Sequence, residues 1–72
     1  MRLTDVVAEN LRTLRVRKKL TQQALAAKAG LSASYVSLLE LRQRSPPLET
    51  IGILADALGI SPVALFEKPH RR

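Results

Sequence analysis

The side chains of this sequence with binding or reactive chemistry are mostly cations, and they are unevenly placed. Between Asn10 and Arg44 stand eight basic residues (Arg12, Arg15, Arg17, Lys18, Lys19, Lys28, Arg42 and Arg44) against one acid, Glu40. Between Leu48 and Glu67 stand three acids, Glu49, Asp56 and Glu67, and no base. With a net charge of +6, one part of the molecule is a cationic surface and another is mildly anionic. That division suits a polyanion bound on one side. Charge alone also allows a basic face that is merely solvated.

Catalysis lacks its parts. The single histidine, His70, sits in Lys68-Pro69-His70-Arg71-Arg72 with no second ligand or fixed partner for a metal or general-base role. The absence of cysteine excludes disulfides, thiolate metal sites and cysteine nucleophiles, and nothing points to an oxidising compartment. There is no G-x-S-x-G, no glycine-rich phosphate loop and no carboxylate pair at a plausible spacing. The expectation is a non-enzyme with no catalytic residue, no metal and no cofactor. No apolar run approaches the ~18 residues that span a bilayer, and Met1-Arg2-Leu3 opens into charged and polar residues rather than a signal core. A cytosolic protein is the simple reading. Recognition of single-stranded RNA needs stacking aromatics, and only Tyr35 and Phe66 are present.

The elements that position the cations are helical throughout. The chain has 72 residues, enough for one domain. A domain this small buries roughly 60% of its unfolded surface, so a dimer would help its stability. Leu3, Val7, Leu11 and Leu14 keep one face of a helix capped by Thr4 and running to about Lys18. Thr21 caps a second, short helix with Leu25, Ala26 and Ala29 inward, ended by Gly30 in a left-handed conformation. Leu31 turns inward and Ser32 caps a third helix from Ala33 to about Leu41, with Val36 and Leu39 facing the core. With only Gly30-Leu31-Ser32 between them, these two helices must cross steeply. Ser45-Pro46-Pro47 forces an extended connection. A fourth helix from Leu48 presents Leu48, Ile51, Ala55 and Leu58 on one face and ends at Gly59, and Ser61-Pro62 starts a short fifth helix through Phe66.

The register of residues 22–41 is the strongest signal. Ala26 must be small because the third helix crosses close to it, and Leu25, Leu31, Val36 and Leu39 form the wedge between the two helices. Through Leu20-Thr21-Gln22-Gln23-Ala24-Leu25-Ala26, Gly30-Leu31-Ser32, Ser34-Tyr35-Val36-Ser37 and Glu40, the chain resembles the Xre/Cro family of bacterial and phage repressors. The likeness continues through Pro46, Leu48-Glu49-Thr50-Ile51, the run from Leu54 to Ser61 and Leu65-Phe66, covering about residues 7–67. Its length resembles that of restriction-modification controller proteins and small phage repressors.

The resemblance implies an all-α, five-helix, lambda-repressor-like domain over residues 1–67, with the helix-turn-helix at helices 2 and 3 and a basic flexible tail at 68–72. It places the third helix in the major groove of double-stranded DNA with Ala33, Ser34, Ser37 and Leu38 at base edges. Gln22 and Gln23 would hold phosphates at the start of the second helix, flanked by Arg17, Lys18, Lys19, Tyr35, Arg42 and Arg44 as phosphate contacts. Arg15 and Glu40 match a structural ion pair between the first and third helices. Two departures stand out: Arg42 occupies a position where many relatives have glycine, and Leu38 and Leu41 stand where polar residues are common.

Ile53, Ile60, Val63 and Phe66 are the expected dimer interface, apolar residues of the non-basic half that one small core does not absorb. The functional expectation is a homodimeric transcription regulator, a repressor with autoregulation as one mode, acting on an inverted repeat in the cytoplasm of a bacterium or phage host, associated with the nucleoid. No membrane partner and no small-molecule ligand are expected. The competing reading is a protein-interaction module, such as an antitoxin that caps a toxin through Leu38, Leu41 and the C-terminal apolar residues.

Overall fold

The computed structural model describes residues 2–68. Four α-helices follow one another: α1 Leu3–Arg17, α2 Gln22–Ala29, α3 Ala33–Glu40 and α4 Leu48–Leu58, then a 3₁₀ helix Pro62–Phe66. No strand occurs among the described residues. The short fifth helix expected through Phe66 is a 3₁₀ segment, so the α-helices number four among the described residues. Only five residues lie between the Ser61 cap and Glu67, which is already extended. The N–H of Ala64 donates to Ser61 O, three residues back, at 3.0 Å, the tighter hydrogen-bond spacing of a 3₁₀ helix. Residues 69–72, most of the basic tail expected at 68–72 and including His70, lie outside the described residues.

The core is shared by all five elements. Val7 and Leu11 of α1, Leu25 and Ala26 of α2, Val36 and Leu39 of α3, Ile51, Leu54, Ala55 and Leu58 of α4, and Leu65 of the 3₁₀ helix form one buried cluster. Burying each such leucine stabilises the fold by about 1.5–3 kcal/mol. Of the other residues expected to face inward, Leu14, Ala29 and Leu31 are partly buried and pack against it, whereas Leu3 is 60% exposed and Leu48 is 81% exposed. Both stand in the first turn of their helix, where no neighbouring element reaches over them, and they flank a shallow hollow with Val7, Pro46, Ile51 and Phe66 along its walls. Thr4 is not the cap of α1 either. The helix begins at Leu3, two residues earlier than a Thr4 cap would set, Arg2 caps it without a side-chain bond, and the Thr4 hydroxyl lies 3.3 Å from the Ser45 hydroxyl across the connection.

The C-terminal end is tied down by a polar residue inside the apolar face of α1. Asn10 is buried, and its Nδ2 donates to Leu65 O at 3.0 Å and to Glu67 O at 2.6 Å. These carbonyls belong to the end of the 3₁₀ segment, where the helix itself supplies no donors.

All four α-helices end in the same way. An N–H two or three residues past the end of the helix reaches back five positions: Leu20 to Arg15 O, Leu31 to Ala26 O, Gln43 to Leu38 O and Ile60 to Ala55 O, all at 2.9–3.1 Å. The residue before each of these donors takes a left-handed conformation. At two ends it is Gly30 or Gly59, with φ of 70° and 69°, and at the other two it is Lys19 or Arg42, with φ of 60° and 65°. A side chain in this region costs on the order of 1 kcal/mol or more, so α1 and α3 end under strain that α2 and α4 avoid.

Candidate nucleic-acid interface

The first turns of α2 and α3 are brought side by side. Thr21 accepts from the N–H of Ala24 at 3.0 Å and Ser32 from the N–H of Tyr35 at 3.0 Å, which satisfies an otherwise unpaired donor at each helix start. Between the helices, Gly30 supplies the left-handed turn, and Leu31 packs back against the core. Ala26 is 3% exposed at the crossing, where a larger side chain would push α3 outward. The result is an open depression of about 530 Å³ lined by Arg15, Thr21, Gln22, Gln23, Ala33, Ser34 and Ser37. Ser34 and Gln23 are exposed, while Gln22, Ala33 and Ser37 are half-buried.

An ion pair beneath this depression sets its shape. Arg15 Nε donates to Glu40 Oε2 at 2.6 Å and Nη2 donates to Oε1 at 3.1 Å. The two side chains are only 12% and 4% exposed, so this is a largely buried bidentate pair, not a surface one. Arg15 Nη1 also donates to Leu20 O at 2.7 Å, and Gln22 Nε2 donates to Glu40 Oε1 at 3.0 Å. One guanidinium thus joins the end of α1, the turn leading into α2 and the end of α3. The Gln22 amide is oriented by Glu40, and its second N–H remains for an outside group.

The other residues singled out from the sequence are dispersed. Leu38 and Tyr35 are half-buried and lie outside the lining of the depression, Tyr35 packing against the core. Arg17, Lys18 and Lys19 are consecutive, yet they serve different surroundings. Arg17 lines a hollow with Glu9, Asn10, Thr13 and Glu67. The Lys18 ammonium lies beside Gly59, 4.0 Å from where a β-carbon there would stand, next to the carbonyl end of α4 that favours a cation. The Lys19 side chain has no hydrogen bond or ion pair among the described residues. Arg42 leans toward α1, with Nε 3.9 Å from Asp5 Oδ1 and Nη2 4.0 Å from Glu9 Oε1, a competing use for a charge expected on phosphate. Arg44 is exposed on the connection to α4.

On the opposite half, Ile53 is 42% exposed and Val63 64% exposed, whereas Ile60 and Phe66 are half-buried against the core. No cluster of three or more His, Cys, Asp or Glu residues placed to hold a metal occurs among the described residues. No helix there is long and apolar enough to cross a membrane. Sequence reasoning missed Asn10 and the left-handed Lys19. A polar residue between Val7 and Leu11 on a buried face was a signal for the first, whereas a lysine carries no mark of positive φ.

The signature of the helix-turn-helix family matches residues 11–65, so the chain belongs to that family. Its relatives are named as transcriptional regulators, in keeping with the Xre/Cro-like resemblance of its sequence. The chain is similar to the HTH-type transcriptional regulator y4dJ of Sinorhizobium fredii, with 42% identity over 65 residues that cover 90% of this chain and 84% of that protein. Among solved structures it is similar to the restriction-modification controller protein C.AhdI from Aeromonas hydrophila. There the identity is 43% and the TM-score 0.85, covering 88% of this chain and 96% of that one. It is also similar to the hypothetical transcription factor NHTF from Neisseria, with 37% identity and a TM-score of 0.90, covering 94% of this chain and 78% of that one.

Proposed function

We propose that this protein regulates transcription by binding double-stranded DNA sequence-specifically, as a homodimer, with α3 in the major groove. The observation that carries the reading is the depression shared by the starts of α2 and α3, locked to α1 through Arg15, Glu40 and Gln22. Ser34 and Ser37 offer hydroxyls to base edges and Ala33 offers a methyl group to thymine. Leu38, beside this face, would extend the apolar contact. Gln22 and Gln23, with the free N–H groups opening α2, hold the phosphate at the groove edge. Arg44 and the basic turn after α1 add attraction to the backbone. The protein has no enzymatic role and needs no cofactor in this reading, and it works in the cytoplasm.

The homodimer is supported by the exposed Ile53 and Val63 and by a glycine between them and Leu48. Gly52 lies inside α4, and a β-carbon there would meet nothing within 4 Å. A glycine in a helix interior costs about 0.5–1 kcal/mol relative to alanine. Nothing among the described residues requires it, whereas close approach by a second copy would. Two copies joined through this half present two α3 helices about 34 Å apart, matching half-sites one helical turn apart on an inverted repeat. Repression by occupying such a site, including the protein's own promoter, is the mode proposed.

A salt titration tests the reading. With about six phosphate contacts, log affinity falls against log salt with a slope near −5, so a fourfold rise in salt weakens binding about a thousandfold. Selection from random duplexes followed by footprinting then yields the site, its symmetry and the stoichiometry. A flat salt response favours the second reading, a module for a protein partner, which draws on exposed Leu41 and on the hollow between Leu3 and Leu48.

A further inference from the structure

We infer, resting on the DNA-binding reading above, that the side chain of Gln23 selects an adenine in the major groove, Nε2 donating to N7 and Oε1 accepting from the N6 amine. Gln23 is the second residue of α2. It is exposed and lines the depression together with Ala33, Ser34 and Ser37 of α3. Its amide has no hydrogen bond among the described residues, so donor and acceptor are both open.

The other side chains of the depression are engaged or too simple for this work, because a base edge is discriminated best by two parallel hydrogen bonds. Arg15 commits Nε, Nη1 and Nη2 to Glu40 and Leu20 O. Gln22 gives one amide proton to Glu40, and the Thr21 hydroxyl accepts from the N–H of Ala24. Ser34 and Ser37 carry one hydroxyl each and Ala33 a methyl group, so none of the three makes a two-bond pair. Arg42, beyond the end of α3, leans toward Asp5 and Glu9. Among the residues lining the depression, an unengaged amide with a donor beside an acceptor is left at Gln23 alone.

A phosphate makes poor use of that amide. The opening turn of α2 supplies the backbone N–H groups of Gln22 and Gln23, which have no partner within the helix, and the Gln22 amide keeps a second N–H. All of these are donors, as an anion requires. The Gln23 carbonyl oxygen is an acceptor and gains nothing from a phosphate, whereas adenine presents an acceptor and a donor side by side. The backbone of Gln23 serves the phosphate, and its side chain serves the base.

The test is selection from a random duplex library with wild type, Gln23→Ala, Gln23→Glu and Gln22→Ala, followed by titration of single-base variants of the wild-type site. Position 23 is exposed and alanine favours a helix, so Gln23→Ala is expected to melt at or slightly above the wild-type temperature. Wild type is expected to require adenine at one position of each half-site. Gln23→Ala accepts any base at that position, losing a preference of roughly 5- to 150-fold, with the other positions and the salt slope unchanged. Gln23→Glu binds more weakly overall beside the phosphate and shifts the preference to cytosine, whose N4 amine donates to a carboxylate. Gln22→Ala keeps the adenine. Unchanged selection by Gln23→Ala, equal weakening of every duplex with the preference intact, or loss of that same preference in Gln22→Ala overturns the inference and leaves the DNA reading standing. A wild-type protein that enriches no duplex overturns the DNA reading itself.

Discussion

The α2–α3 face and the α4–3₁₀ half are built by opposite means. On the first, small polar residues point outward and the geometry is held from beneath by a buried ion pair that touches three segments of chain. On the second, apolar packing against Leu54, Leu58 and Leu65 does the holding, a single buried amide clamps the end, and large apolar side chains are left facing solvent. In the function proposed above, the face that would meet base edges at fixed angles is supported by directional bonds, and the face that would meet a second apolar surface is supported by burial, which has no preferred direction.

The sharpest way to break the first half is to strand its buried charge. Arg15→Ala leaves Glu40 uncompensated, with Gln22 as its one remaining partner among the described residues, and is expected to destabilise the protein by about 3–5 kcal/mol in urea unfolding. Arg15→Ala combined with Glu40→Ala should recover part of that loss, and a purely additive double mutant would show that the pair is not coupled.

The second half is less sensitive. Asn10→Ala removes the donor to the Leu65 and Glu67 carbonyls and is expected to cost about 1–3 kcal/mol. It should also loosen the 3₁₀ segment selectively, so amide exchange should accelerate around Ala64–Phe66 and not in α2 or α3. Uniform acceleration would mean that the clamp serves the whole fold.

The smallest effect tests the outward face. Gly52→Ala should raise the stability of the monomer by up to about 1 kcal/mol through helix propensity, while weakening self-association in sedimentation experiments at rising concentration. A variant that associates as well as wild type would leave that glycine without a role at an interface.

Much of this was legible in the chain. Thr21, Gly30 and Ser32 punctuate the sequence with residues whose local chemistry depends on few neighbours: a hydroxyl that accepts a backbone N–H and a glycine that accepts positive φ. The register from Gln22 to Glu40 follows, because apolar spacing on two short helices leaves one way to bury Leu25, Val36 and Leu39 together. The errors fell where the answer depended on distant chain. Leu48 fits the apolar stripe of α4 and yet is exposed, because whether a first-turn residue is covered depends on what lies across from it. Thr4 has the right side chain for a cap, but its partner is Ser45, distant in sequence.

By itself, then, the sequence determined the helices, their order, the turn between α2 and α3 and the uneven charge, since each arises from interactions within a few residues or from composition. Tertiary structure alone decided which cations remain unpaired, that Arg15, matched to Glu40 by the resemblance, also holds the Leu20 carbonyl, and that Lys19 carries left-handed strain. These depend on where the helix ends meet in space, and chain spacing does not encode which charges will have neighbours there.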